Sequence, residues 1–270
     1  MKMFPRRTMV AVFAGMLAFT AGAPSPERGL KKSVTFRLRL KPSEDPKTGE
    51  QYAVDATALA RTEKALGIRL ATAGIGNVTF QQQQPDRLTV HAEGLTPEQV
   101  SVFRGSVVLT ATLDLRTVHG DNDTLLPDIE SKKTALDPAW TILPMKETNA
   151  GEAKPRKLIV RRVPEITGDE VKSALALSDL EGWSLSVEFD KKAGERFFDI
   201  TRKMRVAVDR FAIVLDGKIL SAPTTQVAGG IAGGSFRLTG RFTEQEVREL
   251  ASALMNPLRN PVVIEEESVK

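Results

Sequence analysis

The sequence predicts an α+β protein in which a ferredoxin-like (split βαβ) unit is followed by a second α+β unit. Three observations predict it. Between Val34 and Leu115 the apolar positions switch between period two and period 3.6 in the order strand, helix, strand, strand, helix, strand. Three Thr-x-x-Glu/Gln capping boxes, at Thr96, Thr167 and Thr243, mark helix starts. Finally, Asp216-Gly217 stands between the apolar runs Phe211–Leu215 and Lys218–Leu220, and this dipeptide readily supplies the two positive φ angles of a type I′ hairpin turn.

Taken in order, Lys2, Arg6 and Arg7 precede an uncharged stretch, Thr8–Ala23, that closes on Ala21-Gly22-Ala23, so residues 1–23 read as a secretory signal peptide cleaved near Ala23. A permanent anchor is the rival reading, but the stretch is shorter than the roughly 20 residues a spanning helix needs. Residues 24–33 are a short tether. Val34, Phe36, Leu38 and Leu40 alternate as a half-buried strand, and Asp55 caps a helix with Ala56, Leu59, Leu66, Leu70 and Ala73 on one face and Gly74 as its stop. Val78 and Phe80, then Leu88, Val90 and Ala92, form two strands joined at Gln84-Pro85-Asp86. Thr96-Pro97-Glu98-Gln99 opens a short helix with Val100 and Phe103 inward, and a strand over Val107–Leu115 completes a base spanning 34–116.

The second unit begins in a polar, loop-rich stretch, 117–155, interrupted by one candidate strand at Trp140–Leu143. Leu158–Val163 reads as a strand. Thr167 and Glu170 predict a helix with Val171, Ala174 and Leu175 inward. Trp183, Leu185, Val187 and Phe189 alternate as a strand, and Phe197, Ile200, Thr201 and Met204 form an amphipathic helical face leading into the hairpin. Gln226–Ser235, with its paired glycines, reads as a flexible loop before a strand at Ser235–Leu238. Thr243 and Glu246 open a helix with Val247, Leu250, Ala251 and Leu254 buried, Pro257 ends it, and Val262–Ile264 is a last short strand ahead of the acids Glu265–Glu267, which read as a solvated tail.

Composition narrows the function classes. Apolar residues make up 41% and charged residues 27%, which is globular rather than disordered. The net charge of +4 falls to about +1 once residues 1–23 are removed, which leaves no electrostatic case for nucleic acid. Without cysteine there is no disulfide, thiol catalysis or thiolate metal site. His91 and His119 lack a second ligand at metal spacing, and Asp121-Asn122-Asp123 starts like a calcium loop but lacks its later Gly and Glu, so it reads as a turn. Ser221 lies in a hairpin strand rather than a nucleophile elbow. Gly233-Gly234 feeds a strand, not the helix N-terminus a phosphate cradle needs. The chain is therefore expected to be no enzyme and to use no cofactor or metal. Asp216, Gly217, Ser221 and Pro223 are assigned to a structural hairpin. The candidate surface is the glycine-rich loop, where Gly229, Gly230, Ile231, Gly233, Gly234 and Phe236 offer backbone groups and apolar side chains to extended polypeptide by strand addition.

These segments also carry a family resemblance. ALGIRLATAGIGNVTFQQQQPDRLTVHAEGLTPEQ, then FAIVLDGKILSAP, the glycine-rich loop and FRLTGRFTEQEVRELASALMNPLRNPVVIEEESV, in this order, resemble the first periplasmic domain of SecD, a protein-export membrane protein. The likeness runs from about Val34 to Val269. It implies a ferredoxin-like base made of 34–116 and the terminal segment 258–270, with 117–257 as an inserted α+β head that engages translocating polypeptide. It also implies a location in the periplasm or on the outer face of the inner membrane, with unfolded or translocating polypeptide and Sec translocase components as partners. Two departures stand out. Gly29-Leu-Lys-Lys-Ser-Val34 replaces the family's Asp-Leu-Gln-Gly-Gly signature, and Met255–Pro261 replaces its Arg-Ala-Gly-Ala-Leu-Pro. With Lys270 standing where the family enters its membrane helices, no proton coupling is expected from this chain. The alternative from another class is an envelope scaffold that no longer binds polypeptide.

Overall fold

The computed structural model describes residues 9–12, 31–146, 156–180, 182–226 and 228–270. The expected cleavage point at Ala23 and most of the tether lie outside these residues. Contacts divide the chain into two units, with breaks at Ala111/Thr112 and Val247/Arg248. A terminal unit holds 31–111 and 248–270, and an inserted unit holds 112–247 together with 9–12.

The terminal unit is a four-stranded sheet in the order β16 (Val262–Val269), β2 (Lys32–Leu40), β6 (Arg87–Leu95) and β5 (Val78–Gln83), antiparallel at every pairing. Helix α1 (Ala56–Thr72) carries the chain from β2 to β5, and α2 (Pro97–Val108) follows β6. A small hairpin, β3 (Ser43–Glu44) with β4 (Gln51–Tyr52), precedes α1. Period-two apolar residues of β2 and β6 meet the 3.6-period faces of both helices in one core, where Val34, Phe36, Leu38, Leu59, Leu66, Leu70, Val90 and Phe103 are fully buried. Phe36 and Phe103 meet edge to face at 4.8 Å.

Local chemistry sets the helix limits. Asp55 accepts the Ala58 N–H at 2.7 Å, and Thr96 and Gln99 exchange both bonds of a capping box. At the far end of α1 the Ile75 N–H reaches Leu70 O and the Gly74 N–H reaches Ala71 O, the paired bonds of a Schellman motif. The core also holds one charge, Arg69, only 2% exposed. Its guanidinium donates to the carbonyls of Ser106, Leu109, Thr110, Ala253 and Asn256. These include C-terminal carbonyls of α2 and of α5 (Glu244–Met255), groups that have no partner within their own helix and whose partial negative charge suits a cation.

The inserted unit distributes its strands over three sheets. One runs β10 (Ile166–Thr167), β7 (Leu113–Thr117), β13 (Phe211–Leu215), β14 (Lys218–Ser221). A second is the pair β8 (Trp140–Pro144) and β9 (Lys157–Arg161), and the third runs β1 (Met9–Val12), β15 (Ser235–Phe242), β12 (Gly182–Phe189), β11 (Val171–Asp179). Helices α3 (Asn122–Glu130) and α4 (Lys191–Thr201) complete it.

Four segments differ from their sequence reading. Residues 107–115 split, with α2 running to Val108 and the strand starting only at Leu113, because Phe103 and Val107 share one buried helical face at i, i+4 spacing. That strand pairs with β13 inside the inserted unit, and the fourth strand of the terminal sheet is β16. The Thr167–Glu170 pair does form, with the Thr167 N–H on Glu170 Oε2 at 3.0 Å, but it opens a single 3₁₀ turn. Val171–Asp179 then pairs with β12 as a strand, turning Ala174 inward and Leu175 and Leu177 outward. The polar stretch 117–155 contains α3. The acids Glu265–Glu267 lie within β16, where Glu266 pairs with Arg37 at 2.6 Å, Glu265 with Arg39 and Arg87 at 2.9 Å, and Glu267 with Arg104.

Candidate functional site

The hairpin at the centre of the inserted unit forms as its sequence predicts. Asp216 and Gly217 sit at φ 49° and 75°, the left-handed pair of a type I′ turn. Asp216 also exchanges two bonds with Thr112, its Oδ1 accepting the Thr112 N–H at 2.8 Å and its own N–H reaching Thr112 O at 3.0 Å. The turn thereby fixes the point where the chain enters this unit. Ser221 is buried at the end of β14, and the Pro223 carbonyl accepts the Phe211 N–H at 3.1 Å. Both belong to the scaffold.

A run of phenylalanines connects this hairpin to the glycine segment. Phe211 packs against Phe197 of α4 at 5.9 Å, Phe197 against Phe189 of β12 at 5.6 Å, and Phe189 against Phe236 of β15 at 5.7 Å. Phe236 is 1% exposed and Ile231 4% exposed, so both side chains predicted to face a ligand lie in the core instead. The physical reason is the period of β15: Phe236 and Leu238 share one buried side, where Phe236 meets Phe189 at 5.7 Å, and the Ile231 N–H is held by the Thr201 hydroxyl at 2.9 Å.

The glycines in this segment permit close approach. A methyl group added at Gly234 would stand 2.7 Å from the Gly194 Cα, and one at Gly230 would stand 2.9 Å from the Arg202 Cβ. The segment expected to be a flexible loop is thus packed backbone to backbone on α4. What it leaves open is a recess of about 680 Å³ bounded by α4, the end of β12 and residues 232–234. Gly194, Gly233 and Gly234 contribute backbone to its lining, Phe198 adds a partly exposed ring (36%), and Lys172, Glu188, Lys191, Glu195 and Asp199 supply charges of both signs.

That lining restricts the chemistry. Lys172 and Glu188 pair at 2.8 Å, and Asp199 pairs with Arg202 at 3.0 Å. The N-terminus of α4 is capped by its own Asp190, which accepts the Ala193 N–H at 2.8 Å, so it is not an open anion site. Among the described residues no group of three His, Asp or Glu side chains could hold a metal ion. His91 bonds Thr35 at 2.8 Å and Glu93 at 3.2 Å, while His119 meets Trp140 edge to face at 4.5 Å.

Comparison with known proteins gives this recess a context. Residues 142–257 match the family model described as SecDF, P1 head subdomain, a span that includes every residue lining the recess. The chain is 30% identical over 223 residues to the protein translocase subunit SecD of Magnetococcus marinus, covering 81% of this chain and 40% of that protein. The chain is SecD-like. Two solved structures share its fold. One is a crystal structure of SecDF in a super-membrane-facing form, with a TM-score of 0.62 and 19% identity over 93% of this chain and 32% of that one. The other, described as a membrane component SecDF that enhances protein export, gives 0.57 and 21% identity over 86% of this chain and 98% of its partner in the comparison. The SecD-like chain thus spans well under half the length of the translocase subunit it matches. Among its described residues no helix is long and apolar enough to cross a membrane.

Sequence reasoning missed the recess because Gly194, on a helix, gives no signal of the segment it will touch. The glycine pairs were visible, but their helical counterpart was not.

Proposed function

We propose that this chain assists protein export by holding unfolded or translocating polypeptide at the recess between α4 and residues 232–234, on the outer face of the inner membrane and beside Sec translocase components. The terminal unit serves as a ferredoxin-like base, and no proton coupling is assigned to the described residues. One observation carries the reading: the recess with exposed glycine backbone and a ring at its rim falls wholly within the segment that matches the SecDF head. An extended chain could lay its backbone against Gly233 and rest apolar side chains on Phe198.

A photo-crosslinking residue at Glu195 tests this, with Lys133, on an exposed turn, as the control position. Glu195 should yield products with an unfolded polypeptide or a Sec component where Lys133 does not, and Phe198→Asp should lower that yield several-fold. Equal yields from the two positions, or none from Glu195, overturn the reading. Capture of a folded partner, unchanged by Phe198→Asp, favours the envelope scaffold instead.

A further inference from the structure

β15 has a neighbour on each of its two edges. On one side it pairs antiparallel with β12 through Val187↔Phe236 and Leu185↔Leu238. On the other it pairs in parallel with β1, in the register Met9↔Phe236, Val10↔Arg237, Ala11↔Leu238, Val12↔Thr239. The two neighbours differ in kind. β12 is part of the same folded unit, whereas β1 lies within the segment that the sequence reads as a signal peptide, four apolar residues from a stretch without charge.

The direction of the backbone groups follows from one bond. The Phe189 N–H donates to Gly234 O at 2.8 Å, which makes that pair a hydrogen-bonded one. Antiparallel alternation then turns the N–H and C=O groups of Gly234, Phe236 and Leu238 toward β12, and those of Ser235, Arg237 and Thr239 toward the opposite edge. The side chains of Phe236 and Leu238 are already buried beneath the sheet, and Arg237 is held by Ser184 at 2.7 Å and by Asp179. The edge is therefore pre-formed, with its ladder groups aimed outward and its own side chains occupied elsewhere. Such an edge is a template for a further strand.

We propose that the Ser235–Thr239 edge is a strand-acceptor site for extended, apolar, uncharged polypeptide segments running parallel to β15, and that Met9–Val12 occupies it until that segment departs. The proposal rests on the polypeptide-binding reading and adds to it the site, the direction and the class of sequence accepted. Its own leader acts as a built-in competitor.

Residue-resolved amide hydrogen exchange on the full chain tests it. The Arg237 and Thr239 amides should be protected, and Ala11→Pro, which removes the N–H that the parallel register aims at the Arg237 carbonyl, should speed their exchange at least tenfold while the Phe236 and Leu238 amides stay slow. Added peptide TMVAVFAG should restore protection in the Ala11→Pro protein, whereas a peptide of alternating Lys and Ser should not. Thr239→Pro, which removes an outward-facing N–H and leaves the β12 ladder intact, should abolish that restoration. Unchanged exchange on Ala11→Pro, or no protection by the apolar peptide, overturns the proposal. If Glu195 still crosslinks unfolded polypeptide in that case, only the strand-acceptor inference falls and the recess reading stands.

Discussion

The two units solve the same packing problem differently. In the terminal unit one sheet and two helices enclose a single apolar core running from Val34 to Val262, with Arg69 as its buried polar tie. In the inserted unit the apolar residues are divided. Val118, Leu158, Val160, Ala212, Val214 and Ile219 form one cluster, and the run of phenylalanines from Phe211 to Phe236 lies elsewhere. A unit with one core is fixed by pattern, and a unit made of several small sheets is fixed by its joints. Those joints are the Thr112–Asp216 bonds, the Gly194–Gly234 approach and the Thr201 hydroxyl on Ile231. The polypeptide-binding proposal draws on this difference, because several small sheets leave recesses between their joints.

The sharpest way to break the contrast is to remove the tie of the terminal unit. Arg69→Met keeps most of the side-chain stem but leaves five carbonyls without their donor. Each buried carbonyl left with no other donor costs about 1–3 kcal/mol. Urea unfolding should show an early transition in the terminal unit, while near-ultraviolet signals from Trp140 and Trp183, both in the inserted unit, persist to higher denaturant. Simultaneous loss of both signals would mean that the two units do not unfold independently.

For the inserted unit the matching change is Gly234→Ala. The new methyl would meet the Gly194 Cα at 2.7 Å, and φ is already +60°. Overpacking and left-handed strain together cost about 1–3 kcal/mol. Gly217→Ala is the informative partner, because it shares the positive φ but has open space around it. It should cost only about 1 kcal/mol. If the two variants are equally destabilised in thermal melts, backbone conformation alone matters and the close approach to α4 contributes nothing.

How much of this was legible follows the same division. Val34, Phe36, Leu38 and Leu40 are fixed by period two, and Asp55, Thr96 and Gln99 by capping chemistry that acts within four residues. Local rules served there because each signal is local. They failed at Thr167, where a sound capping pair opens a 3₁₀ turn, because the start of the following strand, Val171–Leu175, pairs with Ser186–Phe189 of β12 rather than within its own window. They failed again at Ile231 and Phe236, whose burial is decided by α4 and by the alternation of β15. Leu175, buried in the helical reading, is 57% exposed on β11. The recess itself needs Gly194 and Gly234 in contact, a pairing that no window of sequence displays.

A smaller effect separates the two roles of Asp216. Asp216→Ala removes the acceptor for the Thr112 N–H and places a residue less tolerant of φ 49°, at a combined cost of about 1–2 kcal/mol. Asp216→Asn retains an acceptor and tolerates the left-handed turn, so its melting temperature should stay near that of the unaltered chain. A large loss with Asn would show that the carboxylate charge matters, which the geometry with a backbone N–H does not require.

The smallest expected effect lies on β16. A hydrogen bond from Arg87 holds the Glu265 carboxyl below its ordinary value, against the opposing cost of its own desolvation and with further help from the charge of Arg39. A carboxyl lowered in the folded state contributes stability that is complete above its unfolded value, about 4.3, and is lost as pH falls through the folded value. The acid limb of the stability profile should therefore steepen below about pH 4 in part through Glu265. Glu265→Gln should flatten that part of the limb while changing stability little at neutral pH, since the pair is solvent-exposed and screened by salt. The change should appear in the terminal unit alone, with the Trp140 and Trp183 signals unmoved. A shift of those signals instead would tie the acid response to the Asp209 and Arg205 pair that follows α4, whose carboxyl is likewise held low by hydrogen bonds from Arg205. Asp209→Asn would then carry the pH dependence that Glu265→Gln fails to remove.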